Sequence, residues 1–197
     1  MKKISTLCLG LFAFVALLSG QVSAAVYEVD TTHTTVGFSA THLVISNVSG
    51  KFNSFSGSVE IDADKNISNI QAEIDVTSID TANQKRDEHL RSGDFFDAEK
   101  NPKITFKSTS VKKLEGNKYQ VIGDLTIRGV TKAVTLEGEL IGMIQSQYVG
   151  SRAGFRAEGK INRMDFGVSW NKQMDFGGWA VGEEITLKID AEVIEKK

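Results

Sequence analysis

One cysteine and one proline stand in a chain of 197 residues. A single cysteine cannot close a bridge within the chain, which excludes a disulfide-stapled scaffold. A lone proline, Pro102, leaves the punctuation of strands and turns to the 18 glycines. Neither sign of charge dominates. The 25 acids and 23 bases give a net charge of -2 at pH 7, and so no basic footprint for nucleic acid. With 41% hydrophobic residues, the chain is also too apolar for disorder. Catalytic signatures are missing as well: there is no G-x-S-x-G, no H-E-x-x-H, no phosphate-cradling loop ending in Gly-Lys-Ser/Thr, and no C-x-x-C. The three histidines are His33, His42 and His89. The first two lie on or near one strand, roughly 30 Å apart if it is straight, too far to share an ion. No metal site, no cofactor and no enzymatic activity are expected.

What is present begins with Met1-Lys2-Lys3, an apolar run from Leu7 to Leu18, and the small-residue stretch Val22-Ser23-Ala24-Ala25. This is the three-part pattern of a secretory signal peptide. Cleavage is expected after Ala24 or Ala25, which divides the chain into a signal at 1–24 and one domain at 25–197. The apolar run is shorter than the ~20 residues of a membrane-spanning helix. Cys8 leaves with the signal, and so do Lys2 and Lys3. The exported chain is then cysteine-free, as suits an oxidising compartment. A lysine-only start points to a bacterial periplasm. No later stretch is long and apolar enough to span a membrane.

From Tyr27 onward the apolar residues recur with period two. Val36, Phe38 and Ala40 share a face; so do Ile70, Ala72, Ile74 and Val76. Ile104 and Phe106, then Tyr119 to Ile127, Val134 to Leu140, Ala153 to Ile161 and Ile185 to Val193 repeat the pattern. About eight strands result, each with one apolar face. Glu115-Gly116-Asn117 and Arg128-Gly129 read as hairpin turns. An open sheet of this size would leave its apolar face bare, so it must form a sandwich or close into a barrel. Two stretches break the alternation. Thr81-Ala82-Asn83-Gln84 reads as a capping box, with Thr81 as cap, opening a short polar helix to Arg91. The stretch from Asn162 to Glu184 holds both tryptophans and four glycines in an aromatic, Met-containing segment. It can serve as a lid over an apolar cavity, or simply pack its own rings.

Several segments taken in order resemble the YceI-like family of polyisoprenoid-binding periplasmic proteins. They are Tyr27-Glu28-Val29-Asp30 with Thr32-His33, Val48-Ser49-Gly50-Lys51-Phe52, and Arg86-Asp87-Glu88-His89-Leu90 with Asp94-Phe95-Phe96-Asp97. Pro102 to Thr109, Gly123 to Lys132, and Arg163-Met164-Asp165-Phe166-Gly167 complete the set. The resemblance implies an all-β, extended, eight-stranded antiparallel lipocalin-like barrel with one short helix in a connection. It also implies an apolar cavity for a long-chain isoprenoid or similar amphipathic lipid, and it allows a homodimer. On that reading the cavity is lined by Phe38, Ala40, Ile74, Val76, Phe106, Leu125, Leu136, Phe155 and Leu187, with Trp170, Phe176 and Trp179 from the long loop. His33, Arg163 and Asp165 are the candidates for a head group at the mouth. Two other readings stay open: an enzyme acting on an isoprenoid or acyl substrate, or a lipid-independent module for a membrane redox or stress partner. Alternating large and small inward residues suit a channel, but they suit a solid core equally well.

Overall fold

Twelve elements follow one another along the chain. They are β1 (Ala25–Val29), β2 (Thr35–His42), β3 (Ser46–Phe52), β4 (Phe55–Ile61), β5 (Ile67–Asp75), β6 (Ile79–Asp80), α1 (Gln84–Arg91), β7 (Lys103–Lys113), β8 (Lys118–Ile127), β9 (Val130–Ser146), β10 (Gly150–Asn162) and β11 (Val181–Glu195). The computed structural model describes residues 24–175 and 177–196. The expected signal, except Ala24, and Phe176 lie outside the described residues.

Pairing runs β1-β4-β5-β7-β8-β9-β10-β11, and β11 closes back onto β1, every pair antiparallel. β1 and β2 lie end to end along β11: Val29 faces Val193 and Thr35 faces Asp190. β3 with β4, and β5 with β6, continue each other in the same way. The eleven segments are therefore the staves of a closed eight-stranded antiparallel barrel. Closure of β11 onto β1 removes the edges along the body of the barrel, while β3 and β6 extend it at the α1 end, where residues 46–50 of β3 pair only with β2.

The breaks in the staves are patched by hydrogen bonds. Where β1 passes into β2, the Thr34 hydroxyl takes the place of a peptide group. It donates to the Glu192 carbonyl at 3.2 Å and accepts from the Glu192 N–H at 3.0 Å. Between β3 and β4, the Asn53 N–H donates to the Ser78 carbonyl and the Asp75 N–H to the Ser54 carbonyl. A bulge in β9 leaves Ile141 without a partner on β10 and turns it outward, so the inward phase passes from Leu140 to Met143.

The short helix forms where expected, but its cap differs. Asn83, not Thr81, is the N-cap, and its side chain accepts from the Arg86 N–H. The Thr81 N–H and hydroxyl both donate to Asp87 Oδ1, at 2.9 and 2.6 Å. Thr81 thus holds the helix by a side chain one turn in, which leaves the cap to the next residue with a suitable oxygen. No helix among the described residues is long and apolar enough to cross a membrane.

Side chains are fully buried at the two ends of the barrel. Beside α1, Phe52, Val76, Ile79, Phe95, Phe166 and Val168 belong to one buried cluster. At the far end, Tyr27, Val59, Ile61, Ile67, Tyr119, Leu140, Ala153 and Val193 form another. Between them, Phe38, Ala72, Phe106, Leu136, Phe155, Ala157 and Leu187 are only half-buried, although each points to the interior of a closed barrel. Such residues retain accessible surface only if they face unfilled space.

Candidate functional site

That space is a cavity of about 320 Å³ with almost wholly apolar walls. It stands at the lower end of small-ligand pockets, ~300–1,000 Å³. Of the lining residues read from the sequence, Phe38, Ala40, Ile74, Phe106, Leu125, Leu136, Phe155 and Leu187 are on its surface. Ala72, Ala157 and Ile189 join them, and Leu90, Phe95 and Phe96 enter from α1 and the turn after it.

Three inward glycines keep the lumen open. A Cβ on Gly50 would lie 2.4 Å from the Phe38 ring, one on Gly123 2.4 Å from the Phe106 ring, and one on Gly159 2.4 Å from Leu136 Cδ2. Phe38 faces Gly50 across β2 and β3, and Leu136 faces Gly159 across β9 and β10. Each large side chain therefore lies flat along the wall, over the place where its neighbour has no side chain. With alanine there it would have to swing into the lumen. The signal was present in the sequence as glycines interrupting alternating strands, positions that mark close approach.

Other candidates stand elsewhere. Val76 is 1% exposed and sits in the buried cluster beside α1, outside the cavity lining. It opens a 3-10 turn, where the strand's alternation ends. Trp170 packs edge-on to His89 at 4.9 Å and tilted against Phe95 at 5.2 Å, behind the cavity wall. Trp179 is half exposed, at 50%. The long segment thus splits: Phe166, Val168 and Trp170 pack into the barrel end, and the stretch around Trp179 runs outside it.

Arg163 is 4% exposed and reaches the cavity wall, but its guanidinium serves the loop. It donates to the carbonyls of Val168, Trp170, Val181 and Gly182. Burial lowers its pKa from the ordinary arginine value, and no carboxylate is among these partners. Asp165 is exposed. Arg128 works in the same way as Arg163, donating to the Phe95, Gly93 and Gly167 carbonyls. Its place in a hairpin turn gave no sign of this, because the acceptors are distant in sequence.

His33 lies outside, in a charged cluster at the β1–β2 break. Its Nδ1 is 2.9 Å from Asp30 Oδ2. Arg152 reaches the same carboxylate at 3.1 Å and also bonds Glu192. Ligand atoms of Asp30, His33 and Glu192 gather within 4.8 Å of one another, but the Arg152 guanidinium already bridges the two carboxylates. A cation would meet that charge at short range, so the donor set does not suit a metal.

The cluster gives stability a definite pH dependence. The Thr32 hydroxyl, then His33, the Thr32 N–H and Arg152 hold the Asp30 carboxyl well below the usual carboxylate range. The hydrogen bond to Asp30 raises the His33 pKa. A depressed acid stabilises above its unfolded pKa, about 3.9, and the effect is lost as pH falls toward its folded value. A raised histidine stabilises below about 6.5, and that part is lost as pH rises through its folded value. The cluster should therefore be strongest between about pH 4 and 6.5. Urea midpoints of the wild type and Asp30→Asn should differ most in that window and converge on acidification. A constant difference from about pH 3 to 8 would refute the assignment.

The fold of this barrel is shared by solved structures. BcnA of Burkholderia cenocepacia superposes with a TM-score of 0.72 at 28% identity, covering 83% of this chain and 98% of that one. A Campylobacter jejuni YCEI protein matches at 0.71 and 33%, over 80% and 90%. The polyisoprenoid binding domain from Saccharophagus degradans shares the fold at 0.61, with 14% identity over 88% of this chain and all of that one. In sequence, Protein YceI of Escherichia coli O157:H7 is 42% identical over 193 residues, 94% of this chain and 95% of that protein. Residues 27–193, from the first stave to the last, match the YceI-like domain, and the chain belongs to that family.

Proposed function

We propose that the protein is a periplasmic binding protein that carries a long-chain isoprenoid or similar amphipathic lipid in its lumen. The observation that carries this reading is the half-buried apolar belt between two fully buried ends. Membership of the YceI-like family and the shared fold of a polyisoprenoid binding domain support it. The wall offers hydrocarbon contact and little else, which suits a ligand recognised by length and girth. At ~0.8 kcal/mol per buried methylene, even a short buried tail contributes several kcal/mol, and ordering the tail offsets part of this. A lumen of about 320 Å³ holds a segment of a long chain, and the remainder must protrude. Arg163 is bonded to carbonyls, His33 is bound to Asp30 outside the barrel, and Asp165 is exposed and off the cavity lining, so none of the three head-group candidates faces the lumen free, and the reading rests on discrimination by the hydrocarbon.

Native mass spectrometry of protein purified from cells tests the reading. A released lipid with a long apolar chain is expected, on a polypeptide beginning at Ala25 or Val26. Lipid-free protein across several gentle preparations would overturn it.

A further inference from the structure

The turn joining β2 to β3 is built from unusual residues. Leu43 and Val44 both adopt left-handed backbone, φ 51° and 66°, and the Ile45 N–H closes the turn on the His42 carbonyl. Such positions favour Gly, Asn or Asp, and a β-branched residue there is a steric outlier. Three other hairpin turns place glycine in left-handed backbone, at Gly116, Gly129 and Gly150, with Arg128 ahead of Gly129 in the same conformation, and none of them puts a β-branched residue there. Here Val44 is 67% exposed and Ile45 86%, so burial does not compensate for the conformation. The loop from the long segment runs beside the tip. The Leu43 N–H donates to the Ala180 carbonyl at 3.0 Å, and a Cβ on Gly178 would stand 3.3 Å from Val44 Cγ2. That loop presents Trp179, half exposed.

We infer that this tip is a membrane-docking surface whose occupant is the outer layer of a lipid bilayer. Backbone held in a disfavoured conformation to display apolar groups calls for an apolar partner. A tryptophan beside two aliphatic side chains suits the boundary between head groups and acyl chains. Charge permits this: residues 43–50 carry no charged side chain, and the neighbouring loop holds one of each sign, Lys172 and Asp175. Position agrees too. Val181 pairs with His42 at the base of this hairpin, and both Val181 and Ala40 line the cavity. A tip seated in a bilayer brings the adjoining end of the lumen to the source of an apolar ligand. The β9–β10 hairpin also exposes Ile144 and Tyr148, but at the opposite end of the barrel and with Gly150 in its left-handed position.

The role in loading rests on the lipid-carrier reading; docking itself is measured separately. Co-sedimentation of the exported protein with vesicles of phosphatidylethanolamine and phosphatidylglycerol reads it directly. Val44→Asn with Ile45→Thr should weaken binding about tenfold, and Trp179→Ser should also weaken it. The double variant should unfold at the same temperature or higher, because asparagine tolerates left-handed backbone. Ile144→Thr with Tyr148→Ser should bind as the wild type does. Wild type that fails to sediment, tip variants that sediment equally, or loss confined to the β9–β10 variant would each overturn the inference. Native mass spectrometry of the same preparations reads the lumen. Bound lipid without vesicle binding refutes docking alone, whereas vesicle binding without lipid refutes the carrier reading and leaves docking standing.

Discussion

Replacing Arg163 by alanine should destabilise the barrel by about 3–5 kcal/mol, the largest effect of any single polar side chain here. Its guanidinium satisfies four carbonyls, on Val168, Trp170, Val181 and Gly182, from a site 4% exposed to solvent. Each orphaned buried acceptor forfeits about 1–3 kcal/mol, and some regain water when the loop opens. Among the described residues, no buried side-chain nitrogen or oxygen lacks a partner. For a domain of this size, the loss corresponds to a melting temperature lower by roughly 6–20 °C. Arg163→Met separates the causes. It keeps much of the aliphatic bulk and loses the donors, so it should fall nearly as far as alanine. Asp165→Ala, at an exposed position, should change almost nothing. The near-ultraviolet dichroism of Trp170 should weaken with Arg163→Ala, since the segment holding Val168 and Trp170 loses its clamp. A loss below about 1 kcal/mol would show that the carbonyls find water easily and that the clamp is incidental.

How far this role could be read from the sequence depends on the range of the interactions. Arg163 and Asp165 look like an ion pair because they are two apart, yet the structure gives the arginine to backbone carbonyls up to 19 residues away. Local spacing carries no information about carbonyl acceptors, because every residue has one. The staves, by contrast, were readable. Alternation survives wherever one face is apolar, and Ile70 to Ile74, Leu136 to Leu140 and Ile185 to Ile189 follow it closely. Their breaks were not, because Thr34 repairs one through a hydroxyl that looks like any strand threonine. Val76 shows the limit of the pattern. It continues the phase of Ile74 in the sequence, but the chain turns into a 3-10 helix there, and the side chain enters the packed end. The tip at Val44 and Ile45 was hidden for the opposite reason. Apolar residues in a strand-like run suggest burial, and only backbone angles and exposure reveal a turn.

The hollow interior itself had two readings in the sequence, and two alanines on one strand can tell them apart. Ala153 and Ala157 lie on the same face of β10. Ala153 is 1% exposed within the packed far end, whereas Ala157 is half-buried on the cavity wall. Tryptophan at 153 has no room and should destabilise by about 1–3 kcal/mol or more through overpacking. Tryptophan at 157 enters open space. It exchanges empty volume for dispersion contacts, so the melting temperature should hold or rise. The same ring should abolish ligand binding. If it displaces about five methylenes of an alkyl chain, the lost transfer free energy is about 4 kcal/mol, close to a thousandfold in Kd. Displacement of a fluorescent long-chain probe measures this directly, and native mass spectrometry should find Ala157→Trp free of lipid. Both alanines are small, apolar and in phase, so a uniformly packed interior would make both replacements comparably destabilising. That outcome, or an Ala157→Trp protein that keeps its lipid, would refute a ligand-holding lumen at this level of the barrel. Opposite signs for stability, with binding lost only at 157, would place the ligand between the two packed ends.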